Sequence, residues 1–389
     1  MPRSLQRLGR LDLLITDAWV PRWHPVSCVN RRLRDRCHSD LKKARVRSWP
    51  IQLATFEFLA RQRKLTGWAR IMARNEWFGR RASDVFLKRA AQSRRRGIVF
   101  AYSYAALELL EAARGLGWKT VLGQIDPGIE EERLVATLHE QSTYQGIWDR
   151  APSAYWERWQ KECALADRIV VNSHWSRRAL LGEGIPGNRI VVVPLAYEPS
   201  EPPQKEARSY PARFTNDRPM RVLFLGQVNL RKGMAAVLDT LPLLGEAPVE
   251  MRIVGPLQIE LPEALLRHPK VHWIGAQPRS LVAKEYRQAD VFLFPTLSDG
   301  FGITQLEAQS WELPIVSTDR CGDVVEHGRN GLILREITGV GIAQALKELV
   351  QHPETLAAMS RASRLETRFT LSSLSNALVE LERDLCSSS

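Results

Sequence analysis

The segment Pro295-Thr-Leu-Ser-Asp-Gly-Phe-Gly-Ile-Thr-Gln-Leu-Glu307 sets two carboxylates, Asp299 and Glu307, around a glycine-rich turn. A strand ending at Pro295 and a helix starting near Gly302 would leave the backbone N–H groups of Phe301, Gly302, Ile303 and Thr304 as unpaired first donors. Such a helix start favours anions, phosphate in particular. Carboxylates accept hydrogen bonds, so Asp299 and Glu307 would serve hydroxyl groups, both facing one ligand. A second strand–helix turn, Gly226-Gln-Val-Asn-Leu-Arg-Lys-Gly233, places the cations Arg231 and Lys232 where a diphosphate could sit. One glycine-rich turn is weak evidence. Two in one domain, one cationic and one carrying spaced carboxylates, are much stronger.

Other chemistries find little support. The sequence has no D-x-D, H-E-x-x-H, G-x-x-x-x-G-K-[ST] or G-x-S-x-G. His268 and His272 are separated by Pro269, which prevents a helical metal pair. The 5 cysteines form no C-x-x-C, which suits reduced thiols and neither a zinc site nor a redox pair. No metal is therefore expected.

Positioning these turns requires a particular architecture. Short apolar segments at 221–226, 251–255, 271–275, 291–295 and 314–318 alternate with helical stretches at 232–244, 260–267, 278–289 and 303–312. That alternation predicts βαβ units and a parallel sheet. The N-terminal half repeats the theme with strands at 11–17, 97–103, 118–125, 168–173 and 189–194 and a helix at 105–114. Residues 30–96 show no clear strand and are expected to form a basic, helical insertion. The Pro-rich stretch after residue 198 reads as a linker. The expected organisation is an α/β protein of two doubly wound parallel-sheet domains facing across a cleft. Residues 1–198 form the first domain, with the basic helical insertion at 30–96, residues 199–219 the linker and 220–365 the second domain. Residues 366–389 would be a C-terminal helix returning toward the first domain. Open parallel sheets bind ligands at the carboxyl ends of their strands, so the cleft is the expected site.

With these residues in view, the second domain resembles the nucleotide-sugar-binding half of the retaining GT-B glycosyltransferases, specifically glycosyltransferase family 4. The resemblance is close over residues 221–331 and looser over 162–194. It rests on Asp299-x7-Glu307 within S-D-G-F-G-x4-L-E-A-x4-E-L-P-I-V, and on Gly226, Gln227, Lys232 and Gly233. It implies that Glu307 binds the ribose hydroxyls and Asp299 the donor sugar. Lys232, with Arg231 or Gln227, would hold the diphosphate, supported by Gly226 and the amides of Phe301, Gly302, Ile303 and Thr304. The implied activity is metal-independent hexosyl transfer, with no cofactor beyond a nucleotide diphosphate sugar as donor substrate, to a glycan or lipid-linked acceptor.

The pattern also departs from the family. Asp299 stands where Glu is usual, and Gln227 where Arg is usual. The family's N-domain histidine is absent, leaving Gln124 or Asp126 to face the cleft, with His139 as a further acceptor-side candidate. Asp126-Pro-Gly128 also reads as a plain turn capping the next helix. Glu130-Glu-Glu132 reads as helix-dipole complementation. The departures motivate an alternative, a catalytically degenerate GT-B protein acting as a binding subunit or scaffold; a phosphorylase or epimerase on the same fold is a third reading.

Charge narrows the partners. Residues 1–100 carry 24 Lys+Arg against 7 Asp+Glu, whereas the chain as a whole has a net charge of +12. The basic excess of residues 31–96, mixed with Trp and Phe, suits a solvated surface, attachment to anionic lipid, or an anionic glycan or phosphorylated acceptor. No nucleic-acid-reading motif accompanies it. No apolar run is long enough to span a bilayer, and Asp12 and Asp17 come too early for a signal peptide. The expectation is a cytoplasmic protein, peripheral on the inner membrane face if the basic region binds lipid.

Overall fold

A computed structural model describes residues 1–20, 37–93, 96–199 and 208–387. In chain order its first half comprises α1 (Pro2–Arg7), β1 (Leu14–Ile15), β2 (Val46–Arg47), α2 (Pro50–Gln62), α3 (Gly67–Ala91), β3 (Ile98–Tyr102), α4 (Leu107–Gly115), β4 (Lys119–Gly123), α5 (Ile129–Gln141), α6 (Ser153–Leu165), β5 (Arg168–Val171), α7 (His174–Gly182) and β6 (Ile190–Val192). The second half comprises β7 (Met220–Leu225), α8 (Met234–Leu244), β8 (Val249–Val254), α9 (Glu263–Leu266), β9 (Val271–Gly275), α10 (Arg279–Gln288), β10 (Val291–Leu293), α11 (Thr304–Ser310), β11 (Ile315–Ser317), β12 (Gly331–Ile333), α12 (Gly339–Gln351), α13 (Pro353–Ala362) and α14 (Leu371–Ser387).

The strands of the second half build a parallel six-stranded sheet in the order β12-β11-β10-β7-β8-β9. Strands such as Val291–Leu293 and Ile315–Ser317 are buried throughout, because helices cover both faces. Chain order reverses between β7 and β10. This switch point opens the crevice where an α/β sheet receives ligands.

The first half builds a parallel four-stranded sheet, β3-β4-β5-β6. Alternate residues of β5 point to opposite faces. Ile169 and Val171 pack with Leu110, Trp159 and Leu180, whereas Val170 joins Val121 and Val193 beneath α14. The stripe Leu371, Leu374, Leu378, Leu381 and Leu385 runs along one face of α14 at spacings of three and four, and all five are buried there. Each such leucine contributes about 1.5–3 kcal/mol by leaving water. The C-terminal helix thus closes the outer face of the first domain's sheet.

Several local expectations change. The first strand is only Leu14–Ile15, and it stands apart from the four-stranded sheet, paired with Val46–Arg47. Residues 30–96 therefore do contain a strand, although α2 and α3 dominate the described part. The helix expected from Lys232 starts at Met234. Leu230–Lys232 form a 3-10 turn, and Gly233 at φ 77° interrupts the helical path. β12 is too short to stand out in sequence. Residues 31–36 and 94–95 of the basic segment and 200–207 of the linker lie outside the described residues.

Candidate active site

The two glycine-rich turns meet at the switch point. The turn after β7 carries Arg231 and Lys232; the loop after β10 carries Asp299. Gly233 lets the turns touch: a Cβ there would lie 2.0 Å from the Pro295 carbonyl oxygen. In this close approach the Lys232 ammonium forms an ion pair with the Asp299 carboxylate and lies 5.1 Å from the centre of the Phe294 ring. The Lys232 backbone N–H donates to Asn229 Oδ1 at 3.1 Å, which fixes the turn. Lys232 and Asp299 are thus each other's partner in this structure.

The helix start differs from its expected form. α11 begins at Thr304, after Gly302 in the left-handed region at φ 76°. The Phe301 N–H donates to Asp299 Oδ1 at 3.3 Å, so that amide is engaged, and the Phe301 ring is buried against Phe369. Ile303 is exposed at the rim. Glu307, one turn into α11, accepts a hydrogen bond from the buried Tyr286 hydroxyl at 3.0 Å. Burial raises the Glu307 carboxyl above its ordinary pKa, against the Tyr286 bond and the Arg279 charge. Asp299 and Glu307 therefore have different neighbours within the protein. Gly226 adopts φ 153°, and its carbonyl oxygen lies against Gly255, where a Cβ would come within 1.7 Å. Gln227 is exposed.

Across the cleft, α5 supplies a residue whose role its sequence hides. Glu131 Oε2 accepts from Ser298 Oγ at 2.7 Å and lies 3.5 Å from the Arg231 guanidinium. The triplet 130–132 is more than a dipole-complementing helix start, because its middle member bridges the domains. Burial pushes the Glu131 carboxyl up to about 7, opposed by Arg231 and reinforced by Asp126. Arg231 also donates to the Ser298 carbonyl at 2.8 Å within its own domain, and its approach to Glu131 turns it toward the first domain. Trp175 Nε1 donates to Ser298 Oγ at 3.1 Å. The domains are close enough at Gly300 that a Cβ would lie 2.1 Å from the Ile125 carbonyl oxygen.

Asp126 and Gln124 belong to one cluster. Gln124 is buried and donates to Asp126 Oδ1 at 2.8 Å and to the Tyr104 hydroxyl at 3.0 Å, while accepting from Trp159 Nε1 at 2.9 Å. Asp126 also accepts from the Tyr104 hydroxyl and, at 2.9 Å, from the Gly128 N–H. The turn reading and the cleft-facing reading both describe Asp126. Gln124 holds it from behind. Tyr104 adopts φ 76°, and Glu162 secures it: this fully buried carboxylate accepts the N–H groups of Tyr104 at 2.6 Å, Ala106 at 2.8 Å and Leu107 at 3.2 Å. Burial raises the Glu162 carboxyl to about 7 despite these bonds. No local sequence signal marks Glu162, because its partners are 55 to 58 residues away.

Asp126, Glu131 and His139 line a cavity of about 240 Å³ that the Asn229–Arg231 loop closes from the second domain. His139 stacks on Trp148 with ring centres 5.2 Å apart. The cleft thus combines a cation–carboxylate junction on one side with an aromatic, carboxylate-bearing cavity on the other.

Comparison with known proteins agrees with this architecture. The profile "Glycosyl transferases group 1" matches residues 219–352, and "Glycosyltransferase Family 4" matches residues 129–201. The amylovoran biosynthesis glycosyltransferase AmsK of Erwinia amylovora is 24% identical over 218 residues, covering 52% of each chain. The D-inositol 3-phosphate glycosyltransferase of Rhodococcus jostii is 26% identical over 243 residues, 58% of this chain and 54% of its own. The chain spans about half the length of the curated relatives it matches. Among solved structures, Anabaena Alr3699/HepE in complex with UDP superposes with a TM-score of 0.60 at 14% identity, covering 96% of this chain and 100% of that one. Two Rossmann-like sheets facing across a cleft, and family matches on both sides of it, make this chain a member of glycosyltransferase family 4 with the GT-B fold.

Proposed function

We propose that the protein transfers a hexose-type sugar from a nucleotide diphosphate sugar to a glycan or lipid-linked acceptor, with retention of configuration and without a metal ion. The observation that carries this reading is the meeting of Lys232 and Asp299 at the switch point of the six-stranded sheet. A donor diphosphate bound there competes with Asp299 for the Lys232 ammonium. The released Asp299 carboxylate then accepts from donor-sugar hydroxyls, and the remaining amides at the start of α11 support the sugar and phosphate. Charge growing on the departing diphosphate is met by Lys232, a fixed cation needing little reorganisation. Glu307 receives the ribose hydroxyls. The support for retention is the Asp299-x7-Glu307 signature. The support for a nucleotide-sugar donor is family membership, together with the UDP bound by HepE.

Glu307→Ala removes the ribose acceptor. Hydrogen bonds to charged groups contribute about 1.5–3 kcal/mol, so the affinity for the cognate nucleotide diphosphate should fall about 10- to 100-fold. Calorimetry with UDP, GDP and ADP reads this directly; an unchanged dissociation constant would remove Glu307 from the nucleotide site.

The membrane part of the reading rests on α2. Ile51 and Phe58, 76% and 60% exposed, lie about two turns apart on this helix, and Arg61, Arg63 and Lys64 follow Phe58 at its C-terminal end. Apolar side chains flanked by cations favour an anionic lipid surface. Among the described residues no helix is long and apolar enough to cross a membrane. Sedimentation with anionic liposomes should recover the protein at low salt and release it at high salt. Equal recovery on uncharged liposomes, or none on anionic ones, would refute lipid attachment through this surface.

A further inference from the structure

The cavity opposite the donor junction has a chemistry of its own. Its walls are aromatic and already organised. Trp68, brought in by α3, packs on Tyr155 with ring centres 4.8 Å apart, and its Nε1 donates to the Asp149 carbonyl at 2.9 Å. Tyr155 stacks in turn on Tyr104 at 5.0 Å. Trp148 lines the cavity with its stacked partner His139. Polar groups sit between these faces. Asp126, Glu131 and Glu132 line the cavity, whereas Arg231 is its one lining cation among the described residues and already faces Glu131. Arg150, a neighbour of Glu132, does not line it.

Resting on the glycosyltransferase reading, we propose that this cavity binds the acceptor as an uncharged sugar residue, its ring faces stacked on Trp68 and Trp148 and its hydroxyls donated to Asp126 and Glu131. A cavity of about 240 Å³ has room for one ring of this kind. Flat aromatic walls with a few convergent polar groups suit a ligand that is apolar on its faces and hydroxylated at its edges. Each carboxylate offers about four lone-pair positions, so Glu131 keeps capacity beyond Ser298 and Arg231. An anionic acceptor does not fit. A phosphate would enter beside three carboxylates and meet an arginine that already has a partner. Burial also raises the Asp126 and Glu131 carboxyls: the cavity opposes negative charge on its own groups and would oppose it on a ligand.

The test uses the full chain and saturation-transfer NMR. The probes are the methyl glycosides of glucose, galactose, mannose and N-acetylglucosamine. Run in parallel are mannose 6-phosphate and D-inositol 3-phosphate. At least one uncharged glycoside should bind, with each phosphate ester at least about tenfold weaker. Trp68→Ala should weaken that glycoside at least about fivefold, and Trp68→Phe, which keeps a stacking face, should weaken it less. Tighter binding by a phosphate ester would overturn the proposal, as would binding indifferent to Trp68→Ala. A UDP, GDP and ADP titration on the same sample separates the two readings. If a nucleotide binds and no glycoside does, only the acceptor inference fails. If no nucleotide binds, the glycosyltransferase reading beneath it fails.

Discussion

Replacing Lys232 with alanine should lower donor turnover about 10²–10³-fold, a loss of about 2.7–4 kcal/mol of transition-state stabilisation. The expectation follows from where the ammonium sits. It is largely shielded from water, it pairs with Asp299, and the turn that carries it is fixed by Asn229 and by Gly233 against Pro295. A cation held this way acts on the leaving diphosphate without reordering solvent. The loss should appear mainly in kcat, because charge on the diphosphate grows as the glycosidic bond breaks. Removing Lys232 also strands the Asp299 carboxylate, which would then repel the donor and add a smaller rise in KM. Steady-state release of nucleotide diphosphate from the cognate donor measures both effects. A kcat within about threefold of wild type would show that another group neutralises the leaving group.

The second large effect is on stability and lies across the cleft. Glu162→Ala removes one buried carboxylate and orphans three backbone N–H groups, those of Tyr104, Ala106 and Leu107. Each buried unsatisfied donor costs about 1–3 kcal/mol, and partial relief by entering water brings the expected loss to about 3–5 kcal/mol. That is a large share of the ~5–15 kcal/mol by which a domain is stable. Two consequences should appear together. The unfolding midpoint in denaturant should fall markedly, and Tyr104, held at φ 76°, should lose its fixed position and loosen Asp126 with it. Glu162→Gln keeps one carbonyl oxygen and should lose less than Glu162→Ala. Equal stability of wild type and Glu162→Ala would mean the loop at 103–106 does not depend on this side chain.

These residues show what a linear chain reveals and what it conceals. Five strands of the six-stranded sheet are legible because each is a short apolar run, and burial on both faces produces that run; β12, only Gly331–Ile333, is too short to stand out. The Lys232 and Asp299 turns are legible for a related reason: glycine is required where Gly233 adopts φ 77° and approaches the Pro295 carbonyl. Their mutual pairing is not legible, since it depends on β7 and β10 being neighbours in a sheet whose chain order reverses there. Glu131 was hidden by a sufficient local explanation, the acidic first turn of α5; its bond to Ser298 spans 167 residues. Glu162 lies within a helix that looks ordinary, and its partners are on a loop elsewhere in the fold. Trp68 reads as one aromatic of a basic helical segment until α3 delivers it to the cavity.

The central claim is that the cleft uses a nucleotide diphosphate sugar through Lys232 at the switch point. It is tested most directly by incubating the protein with UDP-, GDP- and ADP-sugars, without added metal, and measuring release of the nucleotide diphosphate. The account predicts slow release from at least one donor, abolished or nearly so by Lys232→Ala. No release from any of these donors, together with no binding of UDP, GDP or ADP at millimolar concentration, would contradict it.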